Sequence, residues 1–99
     1  MKHFYLTVDG MLSGTGIRDS IQGGYIDPHK LGVSPNLCKK ISQWLEKYEK
    51  AHYIKFEDKQ QNQVLDQEGI EICKLLKNQF PASKIDYYSN ADMRKIIVN

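Results

Sequence analysis

Six of the seven glycines in this 99-residue chain fall between Gly10 and Gly32. So many glycines in so short a span rule out a long helix there, because each one adds backbone entropy that folding must remove. The stretch follows neither a helical nor a strand period, whereas the sequence on either side of it is regular. A small domain rarely keeps more than about 12–15 structureless residues unless they bind or recognise something. Loop 10–32 is therefore the first place to look for function. It also carries Leu12, Ile17, Ile21, Tyr25, Ile26 and Leu31, which a flexible linker would lack, so it is expected to pack onto the domain in places.

The regular parts set the architecture. From His3 to Val8, Phe4, Leu6 and Val8 alternate with Tyr5 and Thr7, a strand pattern that Asp9-Gly10 ends. Ser34 followed by Pro35 marks a helix start, with serine as N-cap and proline at the first helical position. Leu37, Ile41, Trp44, Leu45 and Tyr48 then recur as one apolar stripe, and this helix fades after Ala51. His52 to Phe56 reads as a connector or short strand, with Tyr53, Ile54 and Phe56 at the core edge. A second helix is predicted over Lys59 to Gln79, capped by Asp58 and stopped by Pro81, with Val64, Leu65, Ile72, Cys73, Leu75 and Leu76 on its buried side. Gly69 inside it costs about 1 kcal/mol against alanine, which points to the close approach of another backbone. From Lys84 to Val98 the pattern gives a C-terminal hairpin turning near Ser89–Asp92, with a short helical turn from Asn90 to Arg94 as the rival. The expected fold is a single α/β domain over residues 1–99. It is a small β-α-α-β unit with two helices on one face of a small mixed sheet. The strands flanking the helices pair parallel, because the helical crossover supplies the needed length.

Composition narrows the class. Fourteen Lys and Arg against twelve Asp and Glu give a net charge of +2, interspersed rather than in a single-signed stripe, so nucleic acid is not the expected partner. The first apolar run is too short for a signal peptide, and no segment approaches the roughly 18 apolar residues of a membrane span. Cys38 and Cys73 fall on helical apolar patterns, as buried free thiols suited to a reducing cytoplasm.

Catalytic patterns are weak. Ser13-Gly14-Thr15-Gly16 suggests a phosphate cradle, but no Gly-Lys-Ser/Thr triplet follows it. His3, His29 and His52 are scattered, without the convergent spacing a metal needs. Cys38 beside Leu37 and Ile41 has the apolar surroundings of an inert thiol, and His52 reads as a satisfied helix-end histidine. The acids, Asp66 among them, sit on polar helix faces as solvated charge. Arg18 and Asp19 either pair to shape the loop or face a partner. Of Tyr87 and Tyr88, one points outward, and exposed tyrosine favours interfaces.

The series Gly23-Gly24-Tyr25-Ile26-Asp27-Pro28, Leu31-Gly32-Val33-Ser34, Trp44-Leu45-x-x-Tyr48-Glu49, Asp66-x-Glu68-Gly69-Ile70 and Tyr87-Tyr88-Ser89 resembles small bacterial immunity proteins of contact-dependent growth inhibition and other polymorphic toxin systems, over about Gly16 to Arg94. The resemblance implies a non-enzymatic cytoplasmic antitoxin without cofactor or metal. It would be a monomer or weak homodimer that binds a cognate toxin domain and blocks its active site or substrate path. The candidate contacts are Arg18, Asp19, Gln22, Tyr25, Asp27, Tyr88 and Asp92. Inhibitors of nucleic-acid-degrading toxins are usually acidic, so a slightly basic chain implies either a toxin that is not strongly basic or acids gathered on one face. The alternative is a small ligand- or phosphate-binding domain, or an enzyme, that uses the Gly-rich loop 10–32 as a lid.

Overall fold

The computed structural model describes residues 5–98; His3 and Phe4, which the alternation places in the first strand, lie outside them. Seven elements follow in order: β1 (Tyr5–Asp9), β2 (Ile17–Asp19), α1 (Pro28–Leu31), α2 (Pro35–Tyr53), α3 (Lys59–Gln79), β3 (Lys84–Ser89) and β4 (Arg94–Ile97). The strands form one sheet in the order β2-β1-β3-β4. β1 and β3 pair in parallel, with Leu6 opposite Ile85 and Val8 opposite Tyr87. They occupy the centre of the sheet, and each has an antiparallel neighbour outside it, β2 on β1 and β4 on β3. The parallel pair joined by two helices and the C-terminal strand pair agree with the pattern read from the sequence.

Local chemistry explains the boundaries. Ser34 caps α2 by accepting from the Leu37 amide at 3.4 Å, with Pro35 in the first turn. Asp58 caps α3 by accepting from the Gln61 amide at 3.0 Å. Each cap satisfies one backbone donor that the helix itself leaves unpaired.

The core lies between the sheet and the two long helices. Alternation turns Leu6, Val8, Ile85 and Tyr87 toward α2 and α3, where they meet Trp44, Tyr48, Leu65, Ile72 and Leu76, all buried. The Trp44 indole N–H donates to the Leu65 carbonyl at 2.9 Å, which locks α2 to α3 inside the core. On the solvent side of the same helix pair, Lys47 reaches Glu68 at 2.8 Å and Lys40 reaches Glu71 at 3.6 Å. Lys40 and Lys47 of α2 are thus committed to α3.

Four expectations are corrected. The glycine-rich stretch is not structureless. It contains β2, a Tyr25 bridge to Arg18 and the short helix α1, and backbone bonds from Asp9 to Gly16 and from Ile26 to Ile17 tie it to the sheet. Tyr53 and Ile54 do not fill the core edge; α2 runs on through Tyr53, and both side chains face solvent while only Phe56 packs inward. Val64 and Leu75 are exposed, because α3 turns a narrower stripe inward than its apolar residues suggest. Gly69 accommodates a ring rather than a backbone: a Cβ there would stand 2.2 Å from Tyr87 Cε1.

Candidate functional site

The sheet has a second face that neither long helix covers. Because side chains alternate along a strand, Tyr5, Thr7 and Asp9 of β1 point away from the core-facing Leu6 and Val8. By the observed register, Lys84, Asp86 and Tyr88 of β3, Lys95 and Ile97 of β4, and Arg18 of β2 share that face. Polar side chains here build two linked nodes.

The first node centres on Asp86. Its carboxylate accepts from the Thr7 hydroxyl at 2.7 Å and from the Tyr5 hydroxyl at 3.0 Å, and the Lys95 ammonium lies 3.7 Å away. The single Thr7 proton goes to Asp86, so the Ser20 hydroxyl bonded to Thr7 is the donor of that pair. The Lys84 and Lys95 ammonium groups stand 4.7 and 5.4 Å from the centre of the Tyr5 ring, within the range of cation–π attraction.

Asp9 centres the second node. It receives the Met11 amide at 3.0 Å, the Asn90 side-chain amide at 2.9 Å and, more weakly, the Tyr25 hydroxyl at 3.5 Å. Arg18 Nε lies 3.4 Å from Asp9; among the described residues this buried atom makes no hydrogen bond and is attracted to Asp9 by charge. Burial, followed by the neighbouring Asp9 charge, pushes the Tyr25 hydroxyl above its ordinary range, so it stays a donor.

Behind the face, Asn90 joins this surface to the core. Its backbone N–H donates to the Tyr48 hydroxyl at 3.0 Å, which lies 3.3 Å from the Tyr87 hydroxyl, which in turn donates to Asp66 at 2.7 Å. Ser89 donates to the other Asp66 oxygen at 2.9 Å. Asp66 is therefore an anchor for β3 rather than a freely solvated acid. Burial raises Tyr87 and Tyr48 above the ordinary tyrosine value and pushes the Cys73 thiol up to about 12. Cys38, also raised by burial, donates to the Val33 carbonyl. Such surroundings suppress thiolate formation at both cysteines. His52 is satisfied by the Gly10 carbonyl at 3.0 Å.

The structure brings three of the seven candidate contacts, Arg18, Tyr25 and Tyr88, to this open face or its β2 margin. Gln22 is exposed at the tip of the following turn. Asp19 does not pair with Arg18; it accepts from the Ile21 and Gln22 amides, which hold its carboxyl below the usual value. Asp27 caps α1 through the His29 amide at 2.9 Å, and Asp92 lies 3.8 Å from Arg94 in the β3–β4 turn. The sequence reading passed over Tyr5, Lys84, Asp86 and Lys95. Polar residues at alternate positions, Tyr5-x-Thr7-x-Asp9 and Lys84-x-Asp86-x-Tyr88, were the available signal.

Among the described residues, no helix is long and apolar enough to cross a membrane. Neither a curated protein nor a solved structure matches the chain. A family model described as Serratia CdiI immunity protein-like does match, from residue 6 to residue 90. That span runs from β1 through β3 and includes both nodes of the open face except Tyr5 and Lys95, and the chain belongs to the Serratia CdiI immunity protein-like family.

Proposed function

We propose that this protein neutralises a cognate bacterial toxin domain by binding it and obstructing its active site or substrate path. It acts without catalysis of its own, inside the cell that makes it. Family membership supplies the class of function. The observation that carries the binding mode is the uncovered sheet face, where charged and aromatic side chains are already held in place by Asp9 and Asp86. Pre-positioned side chains lose less freedom on binding, which favours affinity. In this reading Arg18, Tyr25 and Tyr88 contact the toxin directly and Gln22 joins them from the adjoining turn. Asp19, Asp27 and Asp92 shape the margin of the contact. A stable complex needs roughly 1,600 Å² of total buried surface, and the four-stranded face with its flanking turns is the surface offered for it.

The test is co-expression. The toxin domain encoded directly upstream, expressed alone, is expected to stop growth, and this protein expressed with it is expected to restore growth. Continued killing in the presence of folded protein would reject the proposal.

A further inference from the structure

The open face is electrically lopsided, and this bears on what it binds. Its two carboxylates are sunk: the Asp9 and Asp86 side chains are 4% and 2% exposed. Its cations are not: the Arg18 and Lys95 side chains are 34% and 45% exposed, and Lys84 also faces solvent. Three positive groups thus stand above two negative ones. The acids act as internal counter-ions for Arg18 and Lys95 while Lys84 lies over the Tyr5 ring, so an approaching molecule meets the cations first. Of the three carboxylates at the margin, Asp19 and Asp27 accept from backbone amides of their own turns and Asp92 lies beside Arg94. Ile97, 74% exposed on the same face opposite Asp86, adds an apolar contact beside Lys95.

We infer that the open sheet face, through Arg18, Lys84 and Lys95, docks an acidic surface of the toxin domain; this rests on the immunity reading above. Charge complementarity decides the choice. An acidic protein surface gains attraction from all three cations, whereas a basic one would meet the same three with like charge. Opposite charges across a forming interface chiefly raise the rate of encounter, and salt screens that effect.

The experiment measures association of the purified upstream-encoded toxin domain with the wild-type protein, with the double variant Lys84→Glu/Lys95→Glu, and with a control, Lys50→Glu/Lys74→Glu, on the helical side. Association rates are followed against salt concentration, and thermal melts confirm folding. The wild-type rate should fall steeply with salt. The sheet-face variant should associate at least about tenfold more slowly at low salt and lose that dependence, while the helix-side variant behaves as wild type. Should the double variant melt early, Lys84→Ala, which removes a contact with the Tyr5 ring and no ion pair among the described residues, should still slow association. Equal rates for wild type and both sheet-face variants, or a loss confined to the helix-side variant, would overturn the acidic-surface assignment and leave the immunity reading standing. No binding by the wild type would overturn both.

Discussion

At the scale of single residues, the fold turns on a few positions where polar chemistry and packing meet. Gly69 is one of them. Alanine there would improve helix propensity by about 1 kcal/mol, but its Cβ would collide with the Tyr87 ring at 2.2 Å. The ring is confined by Trp44, whose centre lies 6.1 Å away, so the collision outweighs the gain. Gly69→Ala is expected to destabilise the protein by about 1–3 kcal/mol in urea unfolding, the usual range for overpacking; a stabilised variant would show that the ring yields freely. Tyr87→Phe keeps the ring and removes the hydroxyl that links Tyr48 to Asp66. Leaving those partners unsatisfied is expected to cost about 1–3 kcal/mol. An unchanged unfolding midpoint would mean that the chain of hydroxyls contributes nothing net.

Elements differ in how openly the sequence declares them. Both long helices were legible, because Ser34-Pro35, Asp58 and Pro81 announce their ends and their apolar stripes keep helical spacing. Asp58→Ala should cost about 1 kcal/mol through the lost bond to the Gln61 amide. Lys47→Ala, which breaks a partly exposed pair with Glu68, should cost less than about 1 kcal/mol. Comparable losses from the two variants would contradict this ranking. β2 was not legible. Three residues, Ile17–Asp19, are too few to show alternation, and they become a strand because β1 offers them an edge. The candidate site was half legible for a related reason. Arg18, Tyr25 and Tyr88 stood out as unusual residues in a loop or an aromatic pair. Lys84, Asp86 and Lys95 looked like ordinary strand charges until the register placed them beside Tyr5 and Thr7. The parallel pairing of β1 with β3 was legible, but its residue register, which sets Tyr5 opposite Lys84 and Thr7 opposite Asp86, was not.

For the whole molecule, burial of weak acids sets the response to pH. Burial pushes the Cys73 thiol from its ordinary 9.0 up to about 12 in the fold. The native state therefore keeps a proton that the unfolded state gives up. Stability from this source is intact below pH 9 and declines as pH rises toward 12, by up to about 1.4 kcal/mol per pH unit. Tyr48 and Tyr87, raised in the same direction from 10.0, steepen the decline above pH 10. Melting temperatures measured from pH 7 to 11 should be level at first and fall beyond pH 9, and Cys73→Ala should soften the fall between pH 9 and 10. A variant that falls as steeply as wild type there would contradict the assignment. The same molecule has two unlike surfaces, a helical side where Lys40–Glu71 and Lys47–Glu68 pair across α2 and α3 and a sheet side with cations raised over sunken acids. On the proposed docking mode, the second of these meets the toxin. The structure of the complex with the upstream-encoded toxin domain tests this most directly. Arg18, Lys84 and Lys95 should be covered in it and face toxin carboxylates; a toxin seated on α2 and α3, with those three side chains still in solvent, would refute this docking mode.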